Sequence, residues 1–111
     1  MGRRLLTVFV AMFLAFLAPT ASMAIDPASM DKALAEIRAE SKVKSAAWND
    51  KTMPSLLVGV WDDGSSRDGY ASYFCALLAS HGIRGGVVRV MDERASHKGE
   101  WKELGKAWCP K

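Results

Sequence analysis

Three hydrophobic patterns alternate along this chain: one long unbroken apolar run, stretches with helical spacing, and short continuous apolar runs between polar turns. The long run, Leu5 to Ala18, is apolar except for Thr7. Beyond it, Met30, Ala33, Leu34 and Ile37 recur at helical spacing with Asp31, Lys32, Arg38 and Glu40 interleaved. Asp26-Pro27 supplies an N-cap and a first-turn proline, so a helix is predicted from Pro27 to near Ser41. Val43–Trp48 and Ser55–Trp61 read as strands joined through the polar turn Asn49–Pro54, a hairpin with a long loop. The second of these is apolar from Leu56 to Trp61, the pattern of a strand buried on both faces in the middle of a sheet.

Arg67 to His81 predicts a second helix, with Ala71, Phe74, Cys75, Leu77 and Leu78 on one face and Tyr70 and Tyr73 at its flank. Gly82 provides the left-handed stop. Gly85-Gly86 then introduces a third strand, Val87–Met91. Strand, helix and strand from Leu56 to Met91 make a parallel, right-handed crossover. The spacing of Trp101, Leu104 and Trp108 predicts a last helix over Gly99–Trp108, closed by Cys109-Pro110. The fold class expected is α+β, a small two- or three-layer α/β sandwich. Its three-stranded mixed sheet comes from a β-hairpin plus a β-α-β crossover, with N- and C-terminal helices packed on it.

Charge and composition change meaning once the first 24 residues are set apart. A cationic start (Met1-Gly2-Arg3-Arg4), the apolar run and small residues at Ser22 and Ala24 form the three-part pattern of a secretory signal peptide cleaved after Ala24. The run spans 14 residues, short of the roughly 20 a membrane-crossing helix requires, so no stable span is expected after cleavage. Residues 25–111 then form one domain. Without Arg3 and Arg4, the 15 Lys/Arg become 13 against 12 Asp/Glu, a formal net charge of +1 rather than +3. No basic patch survives in this part, which argues against nucleic acid as a partner.

Both cysteines, Cys75 and Cys109, lie in the exported part, and an oxidising compartment makes a single disulfide the expectation. Their 34-position separation is unlike the short spacing of redox-active pairs. Two cysteines with two distant histidines, His81 and His97, make no metal-ligand set, and no cofactor is expected.

The candidate chemistry gathers after the second strand, in Val58-Gly-Val-Trp-Asp-Asp-Gly-Ser-Ser-Arg-Asp-Gly-Tyr70. Its acidic spacing fits no EF-hand. Asp62, Asp63 and Asp68 also place three negative charges where a phosphate would sit, against the single Arg67. Much of the stretch reads as a turn at Asp63-Gly64 followed by a capping box between Ser65 and Asp68. Asp62, Arg67 and Gly69 are left without a structural account at a strand's carboxyl end, where open α/β sheets bind ligands. In a parallel crossover the loop Asp92–Lys98 emerges at the same edge, so Asp92, Glu93 and His97 join them, with Asp63, as candidates around one mouth.

A second candidate surface is the sheet face carrying Leu57 and Trp61, expected to be exposed with Trp48 and Met91 unless a terminal helix covers it. No complete catalytic constellation is present: His81 stands about 15 residues, roughly 22 Å, along the same helix from Ser66. The expected function is therefore a periplasmic or secreted, non-enzymatic binding module. Its partner would be another exported or envelope protein or a small ligand, and a homodimer is compatible with the apolar face. Two alternatives are a small hydrolase or metal-dependent enzyme using the loop carboxylates with His97, and a structural or envelope-stress protein with no discrete site.

Overall fold

The computed structural model describes residues 25–111; the predicted signal segment, 1–24, lies outside them. Helix α1 (Pro27–Arg38) begins as expected, with the Asp26 carboxylate accepting from the Ala28 N–H at 3.1 Å and Pro27 in the first turn. Strands β1 (Ser45–Asp50) and β2 (Ser55–Val60) pair antiparallel. The Asp50 carboxylate holds their turn by accepting from the Thr52 N–H and hydroxyl, both at 2.8 Å. Helix α2 (Asp68–Ser80) crosses from β2 to β3 (Val87–Asp92), which pairs parallel with β2. A short helix α3 (Glu93–His97) and strand β4 (Glu103–Trp108) complete a four-stranded sheet in the order β1-β2-β3-β4.

The core lies on one side of this sheet. Leu56, Val58, Val60, Val88, Val90 and Ala46 face Met30, Ala33 and Ile37 of α1 and Phe74, Leu77 and Leu78 of α2, all of them buried. Both long helices thus pack on a single face, and among the described residues only α3 and the segment after it reach the other. The domain has two layers. Trp48 belongs to the helix side, contrary to the expectation that it shares the open face with Leu57 and Trp61. It pairs with Leu56 in the register, and its indole N–H donates to the Met30 carbonyl at 3.4 Å.

The predicted C-terminal helix is a strand instead, which raises the sheet from three strands to four. The helical spacing of Trp101, Leu104 and Trp108 does not mark a buried face: the two tryptophans are 62% and 65% exposed, and of the three only Leu104 packs on the core. What settles the element is the backbone of β3, whose second edge pairs antiparallel with β4 from Val87↔Trp108 to Met91↔Glu103, with an irregularity after Val90. The outer edge of β4 is satisfied in turn by the start of α2. Arg67 N–H donates to the Leu104 carbonyl at 3.0 Å, and Lys106 N–H donates to the Asp68 carboxylate at 3.0 Å.

Gly105 makes that approach possible, because a Cβ there would occupy the space of the Arg67 and Asp68 backbone. Asp68 is consequently not half of a capping box. Ser65 turns to Asp63, to which it donates from its N–H at 2.9 Å and from its hydroxyl at 2.5 Å; the N-cap residue Arg67 makes no side-chain cap bond, and the Asp68 N–H donates to the Ser66 hydroxyl at 3.3 Å. Gly69 faces open space, so no segment approaches it.

The disulfide between Cys75 and Cys109 joins α2 to the residue just after β4, with Cα atoms 5.1 Å apart. It closes the same α2–β4 contact that Gly105 permits. Replacing both cysteines with serine is expected to lower unfolding stability by about 3–4 kcal/mol, read from urea midpoints under non-reducing conditions. Gly105→Val should cost about 1–3 kcal/mol in the same measurement by forcing α2 off the strand edge. Gly69→Ala, with free space around it, should instead gain up to about 1 kcal/mol; a loss at Gly69 equal to that at Gly105 would overturn this account of the contact.

Candidate functional site

Val60 of β2 lies opposite Asp92 of β3 in the parallel pair, so the chain leaves both strands at one edge of the sheet. The segment after β2 and the start of α3 do meet there, through Trp61. Its indole ring stands 4.7 Å from the Arg94 guanidinium and 5.6 Å from the Lys44 ammonium, measured to the ring centroid. Trp61 itself is 40% exposed. Ser41, Lys42, Lys44, Asp63 and Arg67 line a shallow depression with it.

The polar residues of this loop are largely engaged with one another. Arg67 donates to the Trp61 carbonyl at 3.1 Å and pairs with Asp63 at 3.2 Å, while its Nε is buried without a hydrogen-bond partner among the described residues. Asp62 accepts from Lys102 Nζ at 2.8 Å and from the Gly64 N–H at 2.9 Å. These bonds hold the Asp62 carboxyl below the ordinary carboxylate value, Lys102 contributing most. The Ser65 hydroxyl and N–H do the same for Asp63. Asp92 caps α3 by accepting from the Arg94 N–H at 3.2 Å. His97 pairs with Glu93 at 3.0 Å. Among the described residues, no group of three or more His, Cys, Asp or Glu side chains is placed to hold a metal ion.

The more enclosed site lies on the open face of the sheet. A cleft of about 180 Å³ is floored by Ala47, Leu57 and Met91 and rimmed by Ser96, Glu100 and Trp101. Glu93 lies at its end, only 9% exposed. One Glu93 oxygen accepts from the Ser45 hydroxyl at 2.5 Å and the other bonds the His97 ring, which is itself well exposed. Gly59 is what lets a carboxylate lie flat on a central strand, since a Cβ there would collide with the Glu93 carboxylate and the Ser45 hydroxyl. The carboxylate sits between hydroxyl and imidazole, so the imidazole is not arranged to take a proton from Ser45.

Of the residues expected to form a site, Leu57 lies in this cleft and Asp92 on its wall. Trp61 and Arg67 lie at the separate cationic depression, and Asp62 is tied to Lys102. Leu57 and Trp61 thus line different depressions. Sequence reasoning took Glu93 only as one more charge of the mouth, and passed over Ser45, Gly59 and Trp101. The one available signal was Gly59 itself, a glycine interrupting an apolar central strand, which marks a close approach by another group.

Comparison of the chain with protein-family models, curated proteins and solved structures finds no match. The class defined by fold and site is thus a small, disulfide-linked two-layer α+β domain with a cleft on its open sheet face. No helix among the described residues is long and apolar enough to cross a membrane.

Because the Asp62 and Asp63 carboxyls sit below their unfolded value of 3.8, their contribution to stability is complete above that pH. It is lost as pH falls through the lowered folded values. Urea midpoints should therefore drop between about pH 4 and pH 2, and the Asp62→Asn/Asp63→Asn variant should show a shallower drop over that window. Identical pH profiles for the two proteins would refute the role assigned to these bonds.

Proposed function

We propose that this chain is an exported, non-enzymatic binding module, acting in the periplasm or outside the cell. Its disulfide-linked domain holds a small ligand, or a group presented by another exported or envelope protein, in the cleft between Leu57, Met91, Glu93 and Trp101. The observation that carries the reading is the Glu93 carboxylate. It is buried at the end of a cleft with an apolar floor, His97 pairs with it at 3.0 Å, and among the described residues no Lys or Arg nitrogen lies within ion-pairing distance of it. A buried charge is expensive unless compensated, so such a group is retained where something completes its environment. Trp101, 62% exposed at the rim, adds an aromatic wall of the kind that binding sites favour.

The export part of the proposal is supported by the three-part pattern of residues 1–24 and by the Cys75–Cys109 disulfide, a bond that persists in oxidising compartments. The depression around Trp61, with Lys42, Lys44 and Arg67, is a second contact surface for a protein partner.

Mass spectrometry of the protein recovered from the exported fraction should give a chain beginning at Ile25 with its two thiols oxidised. Cross-linking on that fraction should recover a partner or ligand adduct that Trp101→Ala and Glu93→Gln weaken at least about fivefold, in line with loss of a buried anchor. Recovery unchanged in Trp101→Ala, Glu93→Gln, Trp61→Ala and Arg67→Ala alike would sink both surfaces.

A further inference from the structure

We propose that the group entering the Glu93 cleft is an alkylammonium, a short apolar stem ending in a positive charge. This rests on the cleft being a binding site and adds the chemistry of its occupant.

Size comes first. At about 180 Å³ the cleft is smaller than the roughly 300–1,000 Å³ typical of drug-sized ligands. It suits something no larger than one extended side chain. The floor is the second constraint. Ala47, Leu57 and Met91 offer hydrocarbon and no hydrogen-bonding side chain, so the buried portion of the occupant gains by being a methylene stem.

Charge is the third. The charged residues lining the cleft are Asp92, Glu93 and Glu100, all acidic, with no Lys or Arg among them. Arg89 is the cation nearest in the register, opposite Leu57, and it is turned to Glu103 at 3.9 Å. Glu93 is satisfied as a hydrogen-bond acceptor by Ser45 and His97 but has no fixed cation from Lys or Arg among the described residues. An ammonium arriving over the floor supplies that charge at the buried end of the cleft. The exposed face of Trp101 is a further surface that favours a cation. An anionic occupant would meet three carboxylates, and a neutral one would gain only the contacts of its stem.

The same chemistry is offered by a free alkylamine and by a lysine side chain of another protein. The test is an NMR titration of the disulfide-bonded protein, expressed from the full chain, with hexylammonium, hexan-1-ol and hexanoate. Hexylammonium is expected to shift the Gly59 and Glu93 amides and the Trp101 indole N–H saturably. Its affinity should exceed that of hexanol by about tenfold or more, with hexanoate weaker still. Glu93→Gln should remove most of that preference, lowering the affinity for hexylammonium far more than that for hexanol.

Should Glu93→Gln fail to fold, the exposed Glu100→Gln carries the readout, with a loss of about threefold for hexylammonium alone. Nα-acetyl-lysine methylamide separates the sources. Affinity equal to hexylammonium assigns a protein-borne lysine, weaker affinity assigns a free amine, and both uphold the proposal. Equal affinity for hexylammonium and hexanol at these same signals would overturn the alkylammonium assignment and leave the cleft a binding site. No shift at Gly59, Glu93 or Trp101 with any probe, up to its solubility, would overturn the binding reading as well.

Discussion

Parallel pairing of β2 with β3 sends the chain out of both strands at the same edge, and the connection between them must cross a face of the sheet. Helix α2 makes that crossing on the side already occupied by α1, which concentrates the buried side chains of both helices in one layer. Everything distinctive about the opposite face follows. Among the described residues it receives no long helix, only the short α3 and the segment leading to β4, and so keeps an apolar floor that is partly open. The cleft is what remains when a four-stranded sheet is covered on one side and capped at one end on the other.

The α2–β4 contact has the same origin. With α2 laid across the sheet, its first residues fall beside the outer edge of β4, where unpaired backbone groups are costly to leave unsatisfied. Arg67 and Asp68 satisfy two of them, Gly105 gives the space, and the Cys75–Cys109 disulfide joins the same two elements further along. A loop rich in aspartates, which by composition suggests a ligand or metal site, is thereby largely used up in its own geometry. Asp62 holds Lys102, Asp63 holds Ser65 and Arg67, and Asp68 holds Lys106.

Charge is distributed unevenly for a domain whose net charge is close to zero. Lys42, Lys44, Arg67 and Arg94 gather about Trp61, while Asp92, Glu93 and Glu100 gather about the cleft. The two depressions share none of their lining residues. The buried Glu93 is the costlier of the two features, because desolvation penalises a carboxylate far more than exposed cations penalise one another. That cost is why the cleft, rather than the more conspicuous aspartate loop, bears the functional reading.

Residues 25–111 settle much of this architecture locally. The Asp26-Pro27 start of α1, the hairpin turn at Asp50, the helix that contains Phe74 and Leu78, and the apolar runs of β2 and β3 are all written in spacing and turn chemistry, and each forms close to where that pattern puts it. The pairing of Cys75 with Cys109 follows from there being no other cysteine. Tertiary structure alone decided three things. It made Glu103–Trp108 a strand, because an unpaired edge of β3 outweighs a helical spacing of two exposed tryptophans. It turned Asp68 from a helix cap to a strand edge, because Gly105 brings that edge within reach. And it laid Glu93 over Gly59, more than thirty positions away in the chain, because only the fold brings a side chain after β3 onto the face of β2.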